Sequence, residues 1–377
     1  MPESPSRKIL LALVTSAALL ACAELGLRIY GFKFAPRDIP LTIWNAVEDG
    51  LLDETDSLHR SDANSLWVPR GGARIPWTET EHVNALGYRG AELERGSNDQ
   101  AFRVAFLGDS TTFGWMVTEE QTFAQKTAKA LSDSGVRAEA LNAGVIGYSV
   151  AQGLSRYRTL VRSYRPDVVV LGFGAVNDHL NAPSQEPDLQ KIDALRDNEG
   201  LSGKLTAWCR ETLRVTHFVS WLRFEQLGGE SAMRKKLKAT KRLETTDMDV
   251  IGKASYSGKR RVSIADYSEL LEKLVTAIRL DGAEAILLSM PRKQSAEERS
   301  PVLAEYSTAT TALGERLDVT TLDLRSLLRS YTDLYDPERE DAADLALFFD
   351  YWHPRPHGHR IIADALTPLL LDLAQKR

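Results

Sequence analysis

From Phe102 onward, short apolar runs alternate with segments whose apolar residues recur at helical spacing. The pattern predicts strands over residues 103–107, 137–142, 167–172, 284–290 and 319–324. It predicts helices over 121–132, 149–164, 263–280, 297–317 and 357–373. The second of these helices places Val150, Leu154, Tyr157, Leu160, Val161 and Tyr164 on one side and ends before Pro166. Asp167-Val-Val-Val-Leu-Gly172 is apolar on both faces, as a central parallel strand is. Strands alternating with helices imply a parallel sheet covered on both sides. The expected fold class is therefore α/β: a three-layer α/β/α sandwich with a five-stranded parallel sheet.

The pattern lapses in two places. Residues 31–100 are rich in Pro, Gly, Trp and Asp and read as an irregular approach segment. It contains Asn84-Ala-Leu-Gly-Tyr-Arg-Gly90, a turn that leads into the core domain. Residues 181–262 are rich in Lys, Arg and Glu, with an apolar patch at Phe218, Trp221, Leu222 and Phe224. They read as a helical insertion after the third strand, near the sheet edge where ligands bind in open α/β sheets. A lid and a solvated spacer fit that insertion equally. The expected division is residues 1–30 as a signal anchor or signal peptide, 31–100 as the approach and 101–377 as the core domain with its insertion.

At the N-terminus, Arg7 and Lys8 precede an apolar run from Ile9 to Ala23, and Glu24 interrupts it. The run is short for a bilayer span, which needs roughly 20 residues. An uncleaved signal anchor fits best. A lipoprotein signal, with Leu-Leu-Ala ahead of Cys22, a cleaved secretory signal and a buried helix of a cytosolic domain fit the same residues. The positive flank leaves the N-terminus inside and the remainder outside the cytoplasm. The 43% hydrophobic and 26% charged shares of the 377 residues are those of a globular protein, and a net charge of −5 carries no basic footprint for nucleic acid. The two cysteines, Cys22 and Cys209, form neither a disulfide framework nor a metal motif. No cofactor is expected.

Four short segments carry chemistry. Gly108-Asp-Ser110 follows the first strand, where a tight turn exposes the Ser110 hydroxyl at the sheet edge. Asp350-Tyr-Trp-His353 precedes the last helix. A serine hydroxyl needs a base to take its proton, and an imidazole needs a carboxylate to fix its tautomer. Asn142-Ala-Gly-Val-Ile-Gly147 follows the second strand and Gly174-Ala-Val-Asn177-Asp the third. The Gly147 N–H, the Asn177 amide and the Ser110 N–H are candidate donors to a developing oxyanion. Taken singly, each segment reads equally as a turn or a cap. Together they converge on the C-terminal edge of one sheet.

These four segments resemble the signature blocks of the SGNH (GDSL) hydrolase superfamily, over roughly residues 80–375 without the insertion. The tail from His353 through Leu366 resembles that family's last helix, and the upstream NALGYRG is similar to a segment of its membrane-anchored bacterial members. The resemblance implies Ser110 as nucleophile, His353 as base, Asp350 as its orienting acid, and an oxyanion hole of Ser110, Gly147 and Asn177. One position departs: Ala175 stands where the third block usually has glycine. The implied activity is hydrolysis of a short acyl or acetyl ester, on a glycan among other carriers. The same triad also serves O-acyl transfer to an exported glycan, and a non-catalytic binding module is the third class.

Other features are weighed against these. Gly147-Tyr-Ser149-Val-Ala151 nearly matches the nucleophile elbow of α/β-hydrolases, which would make Ser149 the nucleophile. His357 and His359 lie close to His353, and His179 follows Asp178 as a substrate-contact candidate. Arg234-Lys-Lys236 and Lys259-Arg-Arg261 read as solvated helix faces.

Overall fold

The structure, a computed structural model, describes residues 5–32, 58–62, 64–96, 101–179, 187–197, 209, 212–226, 260–332 and 347–377. Most of the 181–262 insertion, including Arg234-Lys-Lys236 and Lys259, lies outside the described residues, as does the side chain of Phe224.

A hairpin opens the larger of two compact units. Its antiparallel strands β1 (His59–Asp62) and β2 (Leu66–Pro69) fall in the segment read as irregular. The hairpin is hidden from periodicity because His59-Arg-Ser-Asp62 has no apolar alternation. The main sheet follows, with β3 (Phe102–Gly108), β4 (Ala138–Asn142), β5 (Val168–Gly172), β6 (Glu284–Ser289) and β7 (Thr320–Asp323). Its order is β4-β3-β5-β6-β7 and every neighbour pair is parallel. The first strand of this sheet thus lies between the second and the third, which makes the β3/β5 boundary the topological switch point.

Both central strands, β3 and β5, are buried along their length. Their side chains alternate between two cores. Ala105, Leu107, Val169 and Leu171 face a layer holding the helices Val150–Thr159, Ile264–Leu280 and Val302–Leu317. Phe102, Val104, Phe106, Val168 and Val170 face the layer of Phe123–Asp133 and Pro356–Gln375. Each fully buried Leu or Phe contributes about 1.5–3 kcal/mol relative to an exposed one. The three-layer α/β/α sandwich with a five-stranded parallel sheet is therefore present.

Two expected helices are divided. The one expected over 297–317 is the pair Gln294–Arg299 and Val302–Leu317, parted at Pro301, which lacks the N–H that continuity needs. The one expected over 149–164 ends at Thr159 and continues as a tighter 3-10 turn, Val161–Tyr164. A helix not read from the sequence, Leu324–Thr332, starts directly after β7, with Asp323 accepting the Ser326 N–H at its start.

The smaller unit comprises Met1–Asp38 and Ala194–Leu243. Its first helix, Pro5–Ile29, continues past the apolar run that closes at Ala23. Glu24 pairs with Arg28 one turn on at 2.7 Å and accepts the Val215 N–H at 2.9 Å, at the start of the helix Arg214–Gln226. Phe32 packs edge-on against Phe218 and Trp221. The stretch Arg7–Ile29 is 23 residues long; its most apolar 18-residue window has a mean hydropathy of 2.1 and is not buried. At 1.5 Å per residue it spans roughly 35 Å, enough for a hydrocarbon core of about 30 Å. It is not the buried helix of a folded core. Cys22 and Cys209 are not bridged.

Candidate active site

The β3 strand ends at Gly108, which stands opposite Gly172 of β5. A Cβ at Gly108 would overlap the Thr112 hydroxyl and the Gly172 carbonyl, so the strand end and the following turn pack together only through glycine. Asp109 then caps a single helical turn, Ser110–Phe113, accepting the Thr111 N–H at 2.9 Å. That cap places Ser110 at the switch point.

The loop ahead of the last helix meets it there. Ser110 Oγ lies 2.8 Å from His353 Nε2, and His353 Nδ1 lies 2.6 Å from Asp350 Oδ2. Asp350 Oδ1 also accepts the backbone N–H groups of Trp352 and His353 at 2.9 and 2.8 Å. Burial pushes the Asp350 carboxyl up, but the imidazole beside it and those two N–H groups outweigh burial and hold it below the ordinary carboxylate range. An ionised carboxylate only accepts, so the Nδ1 atom carries the ring proton and Nε2 is left to accept from Ser110. This is the geometry that activation of a hydroxyl requires. Trp115 and Trp352 flank the imidazole, with ring centroids 5.7 and 6.2 Å away.

Asn177 is buried after β5, and its amide donates to Asp109 Oδ2 at 3.1 Å. The Ala175 departure does not remove it from the site. Ala175 is fully buried, and Arg292 Nη1 donates to the Gly174 and Ala175 carbonyls at 3.1 and 3.2 Å, which fixes the loop. Gly147 adopts a left-handed φ of 78°, which glycine accepts without strain. Among the described residues, neither its N–H nor that of Ser110 has a protein acceptor.

The rivals take structural places. Ser149 is fully buried, starts the helix Val150–Thr159 and donates to Asp188 Oδ2 at 2.7 Å. His359 is buried, stacks on Phe123 and accepts the Phe123 N–H at 3.1 Å; burial pushes it down to about 3. His357 pairs with Arg360 on the surface. His179 is buried with its ring edge-on to Tyr306, 6.4 Å between centroids. Among the described residues no cluster of His, Cys, Asp and Glu is able to hold a metal. The expected solvated face at 259–261 is corrected at Arg261, which is buried and bonded to Gly147 O, Gln152 and Asp188.

Periodicity and motif did not single out Asp109, Asp178, Trp115 or Arg89 as parts of this site. The Asp-Ser-Thr-Thr cap signature was the one local signal available for Asp109. Burial pushes its carboxyl up to about 6, against hydrogen bonds from Thr111 and Asn177 and the charge of His353. Asp178 accepts the Val150 and Gly174 N–H groups at 2.8 and 3.0 Å, tying the loops after β4 and β5 together. Burial pushes it up to about 7, with Asp109 adding to the rise and those N–H groups and Arg261 opposing it.

A raised folded-state carboxyl binds its proton more tightly than the unfolded chain does. Its contribution to stability is complete below the ordinary carboxylate range and is lost as pH rises through about 7. The stability margin of wild type over Asp178→Asn is expected to shrink from about pH 5 to about pH 8, by up to about 1 kcal/mol per pH unit. Urea midpoints of both proteins across that range measure it. A margin that widens with pH contradicts the assignment.

Among curated proteins, nothing matches the chain. The chain is similar in structure to an acetyl xylan esterase, AlAXEase, at 18% identity and a TM-score of 0.44, covering 71% of this chain and 98% of that one. It is similar to Axe2, an acetylxylan esterase from Geobacillus stearothermophilus, at 16% identity and a TM-score of 0.42, covering 71% and 93%. LAE5, an alpha/beta hydrolase enzyme from the metagenome of Lake Arreo, Spain, gives 17% identity and a TM-score of 0.44, covering 72% and 95%. The model of the GDSL-like lipase/acylhydrolase family matches residues 106–361. With that match over more than half of its length, the chain belongs to the GDSL-like lipase/acylhydrolase family and is a serine ester hydrolase.

Proposed function

We propose that Ser110 is the nucleophile of an ester hydrolase acting outside the cytoplasm, with His353 as general base and Asp350 as its orienting carboxylate. The observation that carries this reading is the Ser110–His353–Asp350 chain, at 2.8 and 2.6 Å. Ser110 Oγ attacks the acyl carbonyl carbon while His353 Nε2 takes its proton. The charge gathering on the carbonyl oxygen is received by the Ser110 and Gly147 N–H groups and by the second amide proton of Asn177, whose first is committed to Asp109. His353 then gives its proton to the departing alkoxide, leaving an acyl-enzyme. Water repeats the sequence in reverse and frees Ser110.

Trp115 and Trp352 lie beside His353, and the acyl group proposed is a short one such as acetyl. A glycan ester fits as the carrier. The division of labour along the chain follows: residues 1–30 as a signal anchor, 31–100 as the approach, and 101–377 as the hydrolase domain with its 181–262 insertion. The Arg7–Ile29 helix and the basic residues before its apolar part support an anchor with the hydrolase on the outer side.

The test is turnover of p-nitrophenyl esters of increasing chain length by the full chain in detergent micelles. Acetyl ester is expected to be cleaved fastest, and Ser110→Ala is expected to lower that rate by on the order of 10⁴-fold or more. A folded Ser110→Ala protein that keeps wild-type turnover overturns the assignment.

A further inference from the structure

The peptide that carries the Gly147 N–H is held from both sides by residues far away in the chain. A trans peptide points its C=O and N–H in opposite directions. The C=O of the Ile146–Gly147 peptide accepts the Trp67 indole N–H at 3.1 Å. The next carbonyl, of Gly147, accepts from Arg261 Nη1 at 2.8 Å. With both carbonyls fixed, the direction of the Gly147 N–H is fixed as well.

The two holders support each other. The Arg261 guanidinium lies over the Trp67 ring, 5.5 Å from its centroid. The ring packs edge-on against Tyr148, whose hydroxyl donates to the Trp67 carbonyl at 2.6 Å. Arg261 is buried, and so is its partner Asp188, paired at 2.7 Å. Its Nη2 also donates to Gln152 Oε1, which takes the Ser149 N–H as well. A buried ion pair adds little net stability because desolvation offsets its attraction. What this one supplies is a guanidinium whose direction is set at every donor used.

We infer that Trp67 and Arg261 are positioning residues of the oxyanion hole, acting through the Ile146 and Gly147 carbonyls to aim the Gly147 N–H at the reacting oxygen. The inference rests on the proposed role of Gly147. Neither residue touches the substrate. Each removes a rotation of the Gly147 peptide that would cost the hole one donor, and such a donor is worth on the order of 10²–10³-fold in kcat.

The experiment compares an oxygen ester with its thionoester, in which sulfur replaces the carbonyl oxygen. Sulfur is larger and a weaker acceptor, so donors set for an oxyanion favour the oxygen ester. Trp67→Phe keeps the ring and deletes its N–H; Arg261→Met keeps bulk and deletes the donors. For p-nitrophenyl acetate, kcat is expected to fall about tenfold in Trp67→Phe and about a hundredfold in Arg261→Met, with KM within about twofold. The thionoacetate rate is expected to fall much less, so the preference for oxygen collapses. Equal loss on both substrates marks a general loss of structure and overturns the inference, and so does wild-type kcat in both variants. Ser110→Ala separates the two levels. If it is inactive while Trp67→Phe and Arg261→Met retain kcat, the positioning role fails alone. If it is fully active, the site assignment fails and the inference with it.

Discussion

Replacing His353 by alanine is expected to lower kcat for an acetyl ester by on the order of 10⁴–10⁶-fold, and Asp350→Asn by about 10⁴-fold. The first variant leaves Ser110 with no base within reach, since its hydroxyl is paired to His353 Nε2 at 2.8 Å. The second acts on the tautomer. The Asp350 carboxylate holds the ring proton on Nδ1 at 2.6 Å, whereas an asparagine amide presented there favours the proton on Nε2, which then cannot accept. Asp350 also anchors its own loop through the Trp352 and His353 N–H groups. Asparagine with its amide nitrogen toward His353 keeps the Oδ1 acceptor of both contacts, so the fold is expected to persist while the rate falls. Steady-state kinetics with circular dichroism on the same samples measure both. A loss of under about tenfold in folded His353→Ala is incompatible with His353 as base.

Arg89→Met is expected to have the largest effect on stability. Arg89 is 1% exposed, and its guanidinium donates to the carbonyls of Phe113, Gly114 and Val117 and to Glu81. The Phe113 and Gly114 carbonyls end the helical turn that Ser110 begins. Removing the guanidinium leaves Val117 O with the Trp77 indole N–H, leaves Phe113 O and Gly114 O with only 3.4 Å contacts from Asn142 and the Val117 N–H, and strips Glu81 of its ion-pair partner at 2.6 Å. Breaking a buried pair from one side costs about 3–5 kcal/mol. That corresponds to a drop in thermal midpoint of about 5–10 °C for a unit of this size. Differential scanning calorimetry of wild type and variant reads it, and a drop under about 2 °C contradicts the role given to Arg89.

The core strands were legible because each is an apolar run between polar turns. The observed bounds of β3 and β5 lie within a residue of those the pattern predicts. The four loops of the candidate site were legible for a related reason: each sits within a few residues of a strand end or of the last helix, so a short motif carries its place in the fold. What supports those loops was not legible. Trp67 meets Ile146 across 79 residues, and Arg261 meets Gly147 across 114. No local period records such a pairing. In Arg261 the sequence presented a charge run, and charge runs are solvated unless a partner such as Asp188 waits in the interior. Glu24 is the same lesson at the N-terminus. It interrupts an apolar run, yet the helix continues through it, with the carboxylate paired to Arg28 and accepting the Val215 N–H.

A serine activated by an imidazole reacts with a fluorophosphonate, and Ser110 is the serine paired to His353. The most direct measurement is mass-spectrometric mapping of the residue modified when the full chain, in detergent, reacts with a fluorophosphonate. One phosphonyl adduct is expected, on Ser110, retained in Ser149→Ala and abolished in Ser110→Ala. An adduct on Ser149, or on neither serine in folded protein, would contradict Ser110 as the activated serine.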